Sequence, residues 1–318
     1  MPGHLAELIS QWGFPCLMFD GAESEQADAE ATRFALGELW PDPPHLYVFD
    51  HYGLGVAAEQ ILRTRSAIAV IDDLADRRHD CDLLVDVSHG EDEAHVYQKL
   101  LPAACRLLIG QKYMLLRQEF VEIPQVPRTI SKVARLLVTL GGNDPLDFTS
   151  LALAALAPLA AAGLMIDVTT GHSNPRREQL ISRVSSMRNV TLHIQHPRPS
   201  ELMQSADLCL AAGGMTVWEC CYLGLPTLVV RMADNQIGSC EILRRTGAAR
   251  VLGDGRDLDA AQLHEAVGAA IADADWRLSA SRIGQALIDG KGIESVSGEL
   301  IKLLGISAER ASNEGRVQ

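Results

Sequence analysis

Aromatic residues are few: Phe, Trp and Tyr make up 5% of the chain. Ala, Leu and Gly fill the space instead, a palette that suits helices packed on sheets. A basic surplus is missing. Lys and Arg number 28 against 41 Asp and Glu, for a net charge of −13, which argues against a nucleic-acid or anionic-membrane partner, since either requires a basic face. No apolar run approaches transmembrane length. No basic segment followed by an apolar one opens the chain, so a signal peptide is not expected. Cysteine pairing signals are missing too. The seven cysteines are odd in number, none belongs to a Cys-x-x-Cys pair, and most lie in apolar runs. The expectation is reduced core residues of a cytoplasmic protein. His79, Asp80, Cys81 and Asp82 sit too close together in an extended segment to make a metal site, so neither metal nor cofactor is expected. Low-complexity segments and short-period repeats are absent.

What is present suffices for two domains: 318 residues, 47% of them hydrophobic. The chain is organised around residues 206–236. An apolar strand at 208–211 runs into Gly213-Gly214, a short amphipathic helix follows at 216–223, Gly224 stops it, and a second apolar strand occupies 227–230. Two glycines let a backbone approach a ligand closely and adopt positive φ. The helix behind them starts with unpaired N–H groups and the positive end of its dipole, a place for a diphosphate that needs no lysine. The plainer reading stands beside it: Thr216 and Glu219 have the spacing of a capping box.

Before this stretch the chain alternates. A short helix is expected at 2–12, a strand at 15–19, a helix at 24–39, strands at 45–50, 67–71, 82–87 and 106–109, and helices at 56–63 and 92–101. Continuously apolar strands alternating with helices mark a parallel sheet covered on both faces. Residues 117–132, with Pro124 and Pro127, break the pattern as a linker. A second set has strands at 135–140, 165–169, 191–194, 208–211, 227–230 and 249–252. Residues 259–304 are expected to be all-helical, and 305–318 a flexible tail. The resulting division is 1–116, a linker at 117–132, and 133–304. The second domain counts six strands and the first only five, opening on a helix where a doubly wound domain opens on a strand.

Several clusters follow strands. Gly141-Gly142-Asn143-Asp144-Pro145 is a second glycine turn, with Asp144 as N-cap and Pro145 as first helical residue in its structural reading. Neither turn fits the dinucleotide fingerprint or the P-loop. Asp234-Asn235-Gln236 opens a helix with more polar residues than capping requires. Asp50-His51-Tyr52 offers a carboxylate, an imidazole and a phenol. Asp72-Asp73 act as paired acids or as a cap.

Taken together, these residues resemble the UDP-sugar hydrolases of pseudaminic acid biosynthesis, which act on UDP-2,4-diacetamido-2,4,6-trideoxy-β-L-altropyranose. The resemblance rests on Asp50-His51-Tyr52, Ile71-Asp72-Asp73-Leu74-Ala75, the stretch from Tyr113 through Arg117 and Glu119 to Phe120, Gly141 to Pro145, residues 206–236, and Asn235-Gln236. It implies a GT-B-like α/β fold, two doubly wound parallel-sheet domains facing a cleft, shared with the glycosyltransferase that makes lipid II. It implies that Gly141, Gly142, Gly213, Gly214, Met215 and Thr216 cradle the diphosphate of a UDP-sugar. Glu219 would accept from the ribose hydroxyls, residues 193–198 would hold uracil, and Asn235 and Gln236 would reach the sugar. The implied reaction is metal-independent, inverting hydrolysis to UDP and free sugar. The family's first strand, glycine-rich loop and base histidine have no match here. His4 lies in a different segment, and the first domain is expected to be N-terminally incomplete. A start codon called too late is the simplest account. His51 is the substitute base within the chain, with Tyr52 as a sugar-orienting group. A glycosyltransferase of the same fold and a catalytically impaired UDP-sugar binder are the alternatives.

Overall fold

The computed structural model describes residues 6, 9–18, 23–128 and 132–305, in two compact units. Unit 1 comprises Met1–Asp86, Asp92–Ile109 and Val296–Gln318, and unit 2 comprises Val87–Glu91 and Gly110–Ser295. The boundary expected at residue 116 therefore falls earlier. Met114, Leu116 and Phe120 are buried in a core cluster of unit 2, which draws the chain from Gly110 onward into that unit.

Unit 1 holds four parallel strands in the order β1-β2-β3-β4: Leu46–Asp50, Ala67–Ile71, Leu83–Asp86 and Arg106–Ile109. Its helices include α1, Glu25–Leu39, and α2, Val56–Arg63. Residues 14–18 form no strand, so the fifth strand expected there is not made, and Phe19 lies outside the described residues. A strand needs a neighbour for its backbone groups. Among the described residues, β1 pairs with β2 alone. The helix expected at 2–12 falls largely outside the described residues, with 9–11 helical, and the one expected at 92–101 is a 3-10 helix over Glu91–Tyr97.

Polar side chains fix these helices. Ser24 accepts the Ala27 N–H at 3.1 Å and caps α1. Gly55 begins α2 with no cap of its own, and Glu25 supplies one: its Oε1 accepts the N–H groups of Gly55, Ala57 and Ala58 at 2.6, 3.1 and 3.1 Å. Further along α2, Glu59 is fully buried. It accepts from His79 Nδ1 at 2.6 Å and from the Asp80 N–H at 2.5 Å, and both side chains of the Glu59–His79 pair are at 0% exposure.

Unit 2 holds six parallel strands in the order β10-β9-β8-β5-β6-β7. They are β5, Arg135–Thr139; β6, Met165–Thr170; β7, Val190–Ile194; β8, Leu208–Ala212; β9, Thr227–Arg231; and β10, Arg250–Asp254. All six expected strands form, within two residues at each end. Along β5, Leu136 and Val138 enter one core cluster and Leu137 the other, so the strand is buried on both faces and reads as a continuous apolar run. Cys209, Cys220, Cys221 and Cys240 fill the second cluster as free thiols, as expected.

Residues 117–128 of the stretch expected to be a linker are tied into unit 2. Gln118–Val121 forms helix α3, and beyond it the Gln125 amide donates to the Ile288 carbonyl at 2.8 Å. Arg128 donates to the carbonyls of Leu223, Ala206 and Met203 at 2.9, 2.6 and 2.7 Å. Residues 129–131 lie outside the described residues. The remaining helices of unit 2 include α4, Phe148–Ala161; α5, Arg177–Ser185; α6, Pro199–Ser205; α7, Met215–Tyr222; and α8, Ile237–Thr246. The C-terminal part is all-helical as expected: α9, Ala260–Ala272; α10, Ala274–Leu287; and α11, Gly292–Leu303. The tail expected at 305–318 lies outside the described residues from 306 onward.

Candidate functional site

Strand order decides where unit 2 can hold a ligand. From β5 the chain proceeds outward through β6 and β7, then returns to place β8 on the other side of β5 and continues outward through β9 and β10. Successive helices therefore diverge at the carboxyl ends of β5 and β8, which opens a crevice there. Thr139 of β5 pairs with Ala211 of β8, so the turns that follow both strands start roughly 5 Å apart. Those turns carry Gly141-Gly142 and Gly213-Gly214.

The glycines serve different purposes. Gly141 has φ +90°, a conformation that disfavours side chains. Gly213 is not in that region; there the constraint is space, since a Cβ would fall 2.8 Å from Cys240 Sγ and 3.3 Å from Gln236 Cβ. Gly214 has φ −87°, so the positive φ expected at this pair is not present. A third glycine, which sequence reasoning missed, completes the floor. Gly171 follows β6, its N–H donates to the Gly142 carbonyl at 3.0 Å, and a Cβ on it would fall 2.7 Å from that oxygen. Its only sequence signal is a glycine just past a strand.

Helix α7 begins at Met215 with Gly214 as N-cap, and no side chain caps it. The expected Thr216–Glu219 capping box does not form, because Gly214 is the N-cap and Thr216 is already the second residue of the helix. Val217 N–H donates to the Gly214 carbonyl at 3.2 Å, while among the described residues the N–H groups of Met215 and Thr216, the first two of α7, have no partner. Gly224, at φ +63°, ends the helix as expected. On the other turn, Asp144 does cap, but from outside the helix. Its carboxylate accepts from Phe148 and Thr149 N–H at 2.9 and 2.8 Å, and α4 starts at Phe148 rather than at Pro145. Replacing Asp144 with Ala is expected to destabilise unit 2 by about 1–2 kcal/mol. That corresponds to a melting temperature lower by roughly 2–8 °C for a unit of this size, measurable by calorimetry.

Glu219 is buried on α7. Its Oε1 accepts from Arg117 Nε and lies 2.9 Å from a second Arg117 nitrogen. Burial pushes its carboxyl up from the ordinary value, the Arg117 guanidinium pulls it down, and Glu119 pushes it up again. Gln236 belongs to a 3-10 turn, Asp234–Gln236, ahead of α8. Its side-chain carbonyl is taken by the N–H groups of Gly213 and Met232 at 3.2 and 2.8 Å. Its amide nitrogen faces Gly214, where an added Cβ would lie 3.7 Å away. Gln236 thus ties the β8 turn to the β9 turn and turns only its N–H₂ outward. Asn235 is half-buried in the same turn. At the end of β7, His193 Nε2 pairs with Asp167 Oδ1 at 2.7 Å, and the His193 ring meets that of His196 edge-on. His193 and Ile194 end β7, the strand farthest from β8 on that side of the sheet, and residues 195–198 follow it.

Unit 1 gathers polar residues at its own strand ends. Tyr52 donates to Asp73 Oδ2 at 3.1 Å, and burial pushes the Asp73 carboxyl up. Asp72 takes the capping role, accepting from the Ala75 N–H at 2.9 Å. His51 Nδ1 accepts the Gly53 N–H at 3.0 Å. That bond leaves the proton of the neutral ring on Nε2, so His51 presents a donor outward and its lone pair is engaged. Among the described residues, no group of three or more His, Cys, Asp or Glu can hold a metal ion, and no helix is long and apolar enough to cross a membrane.

The strand order, the glycine turns at the switch point and the uncapped helix all lie within one matched span. Residues 135–283 match the Glycosyltransferase family 28 C-terminal domain. The matched span contains both glycine turns, Glu219 and Gln236. The spore coat polysaccharide biosynthesis protein SpsG of Bacillus subtilis is 29% identical over 278 residues, 85% of this chain and 80% of that protein. The UDP-2,4-diacetamido-2,4,6-trideoxy-beta-L-altropyranose hydrolase of Campylobacter jejuni is 24% identical over 251 residues, 76% of this chain and 89% of that protein. Acinetobacter baumannii MurG matches with a TM-score of 0.58 at 14% identity, over 94% of this chain and 87% of that one. The fold class is that of the GT-B glycosyltransferases, with two parallel-sheet α/β units, and the resemblance carried by the sequence motifs stands.

Proposed function

We propose that this chain binds a UDP-activated sugar on its family 28 domain and hydrolyses it to UDP and the free sugar. The observation that carries the reading is the uncapped N-terminus of α7 at the topological switch point, flanked by two glycine turns. Backbone N–H groups of Met215 and Thr216, with the Thr216 hydroxyl, would receive the diphosphate, and the helix dipole would stabilise the charge that develops as UDP leaves. Gly141, Gly142 and Gly214 keep the approach open. The free Oε2 of Glu219 would accept from the ribose hydroxyls. The outward N–H₂ of Gln236, with Asn235 beside it, would donate to the β-phosphate or the sugar. The similarity to the Campylobacter jejuni hydrolase supports water as the acceptor and a 2,4-diacetamido-2,4,6-trideoxyhexose as the sugar. The engaged lone pair of His51 favours a second reading, a UDP-sugar binder without turnover.

Titration calorimetry with UDP, followed by a UDP-release assay on the UDP-sugar, separates these outcomes. Binding with release, and inversion at C1 by NMR, is expected. Binding without release would leave the second reading, and no binding of UDP would defeat both. Glu219→Gln is expected to weaken UDP binding by roughly 10- to 150-fold, the equivalent of about 1.5–3 kcal/mol for hydrogen bonds to a charged acceptor.

A further inference from the structure

Arg117 lies in what the sequence presents as a linker, yet its side chain reaches across 102 positions to Glu219. Two of its nitrogens lie 2.9 Å from one oxygen, Oε1, while Oε2 takes no hydrogen bond from any described residue. The guanidinium is held in turn. It rests over the Phe120 ring, 5.0 Å from its centre, and a third nitrogen lies 3.2 Å from Glu119 Oε1. Glu119 is itself anchored through Oε2, which accepts the Ser200 hydroxyl at 2.6 Å. All five residues belong to unit 2.

We infer that Arg117 is a positioning residue: it orients Glu219 so that its unbonded Oε2 receives the vicinal hydroxyls of a ribose, and it thereby makes the site select ribonucleotides over deoxyribonucleotides. The inference rests on the proposed UDP site and adds a residue to it. A carboxylate buried on α7 is an effective acceptor only while ionised, and burial opposes that. The charged groups facing Glu219 are Arg117, which favours the ionised form, and Glu119, which opposes it. Because Arg117 binds Oε1 alone, it leaves the second oxygen to the ligand rather than competing for it. The half-exposed guanidinium keeps its pairing through the stack on Phe120 and the bond to Glu119.

The sign of the pH effect follows. Hydroxyl donation favours ionised Glu219, so the preference for ribose is lost as pH falls through the Glu219 pKa. Removing Arg117 raises that pKa and moves the loss to higher pH. Removing the Glu119 charge moves it to lower pH. The phosphate titrates in both UDP and 2′-deoxy-UDP, so the ratio of the two affinities isolates the carboxylate.

The test measures dissociation constants for UDP and 2′-deoxy-UDP across pH with the full chain, Arg117→Met, Arg117→Lys and Glu119→Gln, each checked for an intact melt. The wild-type chain is expected to prefer UDP by roughly tenfold or more, the order set by one hydrogen bond to a charged group. Arg117→Met should bring the ratio near one at neutral pH, Arg117→Lys should restore part of it, and Glu119→Gln should shift the acid limb downward. Equal losses for both ligands in Arg117→Met, with the ratio and its pH limb unchanged, would overturn the inference and leave the UDP site standing. If Arg117→Met fails to fold, an unshifted limb in Glu119→Gln or an unaltered ratio in Arg117→Lys overturns it instead. A wild-type chain that binds neither ligand would overturn the site reading and the inference with it.

Discussion

Gly213→Val is expected to raise the dissociation constant for UDP by roughly 100-fold or more and to lower the stability of unit 2 by about 1–3 kcal/mol. The two effects have one origin. A Cβ at residue 213 would meet Cys240 Sγ at 2.8 Å, well inside any ordinary contact, and Gln236 Cβ at 3.3 Å. The turn must move outward or α8 must move away. Either shift breaks the bonds from Gly213 N–H and Met232 N–H to the Gln236 carbonyl, and it misplaces the first N–H groups of α7, whose bonds to a phosphate are charge-assisted. Gly214→Ala provides the contrast. Its Cβ has ordinary room, 3.7 Å from Gln236 Nε2, so the melt should be unchanged while affinity falls through crowding of the ligand. Pairing Gly213→Ala with Cys240→Ala removes the nearest clashing atom. A coupling energy above about 1 kcal/mol between those two changes is expected. Full additivity in a double-mutant cycle would refute the steric account.

The second large effect concerns unit 1. Glu59→Ala is expected to destabilise it by about 3–5 kcal/mol, because it removes the acceptor of the buried His79 ring and of the Asp80 N–H. His79 Nε2 already lacks a hydrogen-bond partner among the described residues, so the ring would then be without polar contacts at both nitrogens. Replacing both residues with leucine, Glu59→Leu with His79→Leu, is expected to recover much of the loss, since apolar side chains of similar volume remove the cost of the unpaired ring and leave only the Asp80 N–H without its acceptor. Urea unfolding followed by a unit 1 signal checks both. A double variant no more stable than Glu59→Ala would show that the carboxylate holds the loop through Asp80 rather than through the histidine.

How much of this was legible in the sequence depended on distance along the chain. The strands of unit 2 were readable because burial on both faces leaves them continuously apolar, as in Leu136-Leu137-Val138 with alternate residues in opposite cores. The two glycine turns were readable for the same reason: they end such runs. Residues 15–18 were misread because an apolar run becomes a strand only beside a partner, and the partner is not a local property. The start of α7 was misplaced because Thr-x-x-Glu spacing is equally compatible with a helix that begins at Met215. Arg117 was visible as part of a motif but not as the companion of Glu219, and Pro124 and Pro127 suggested a free linker where Gln125 and Arg128 tie the backbone down. Long-range pairs such as these leave no periodic trace.

The cap that Glu25 places on α2 has a kinetic corollary. At eight residues, α2 is too short to persist alone in water, and the amides of Gly55, Ala57 and Ala58 are satisfied by a side chain from thirty or so positions upstream. Those three hydrogens can be protected from solvent deuterium only while the first turn of α1 is docked. They should therefore exchange at the rate at which α1 detaches, so that two helices separated by a whole strand open and close as one cooperative element.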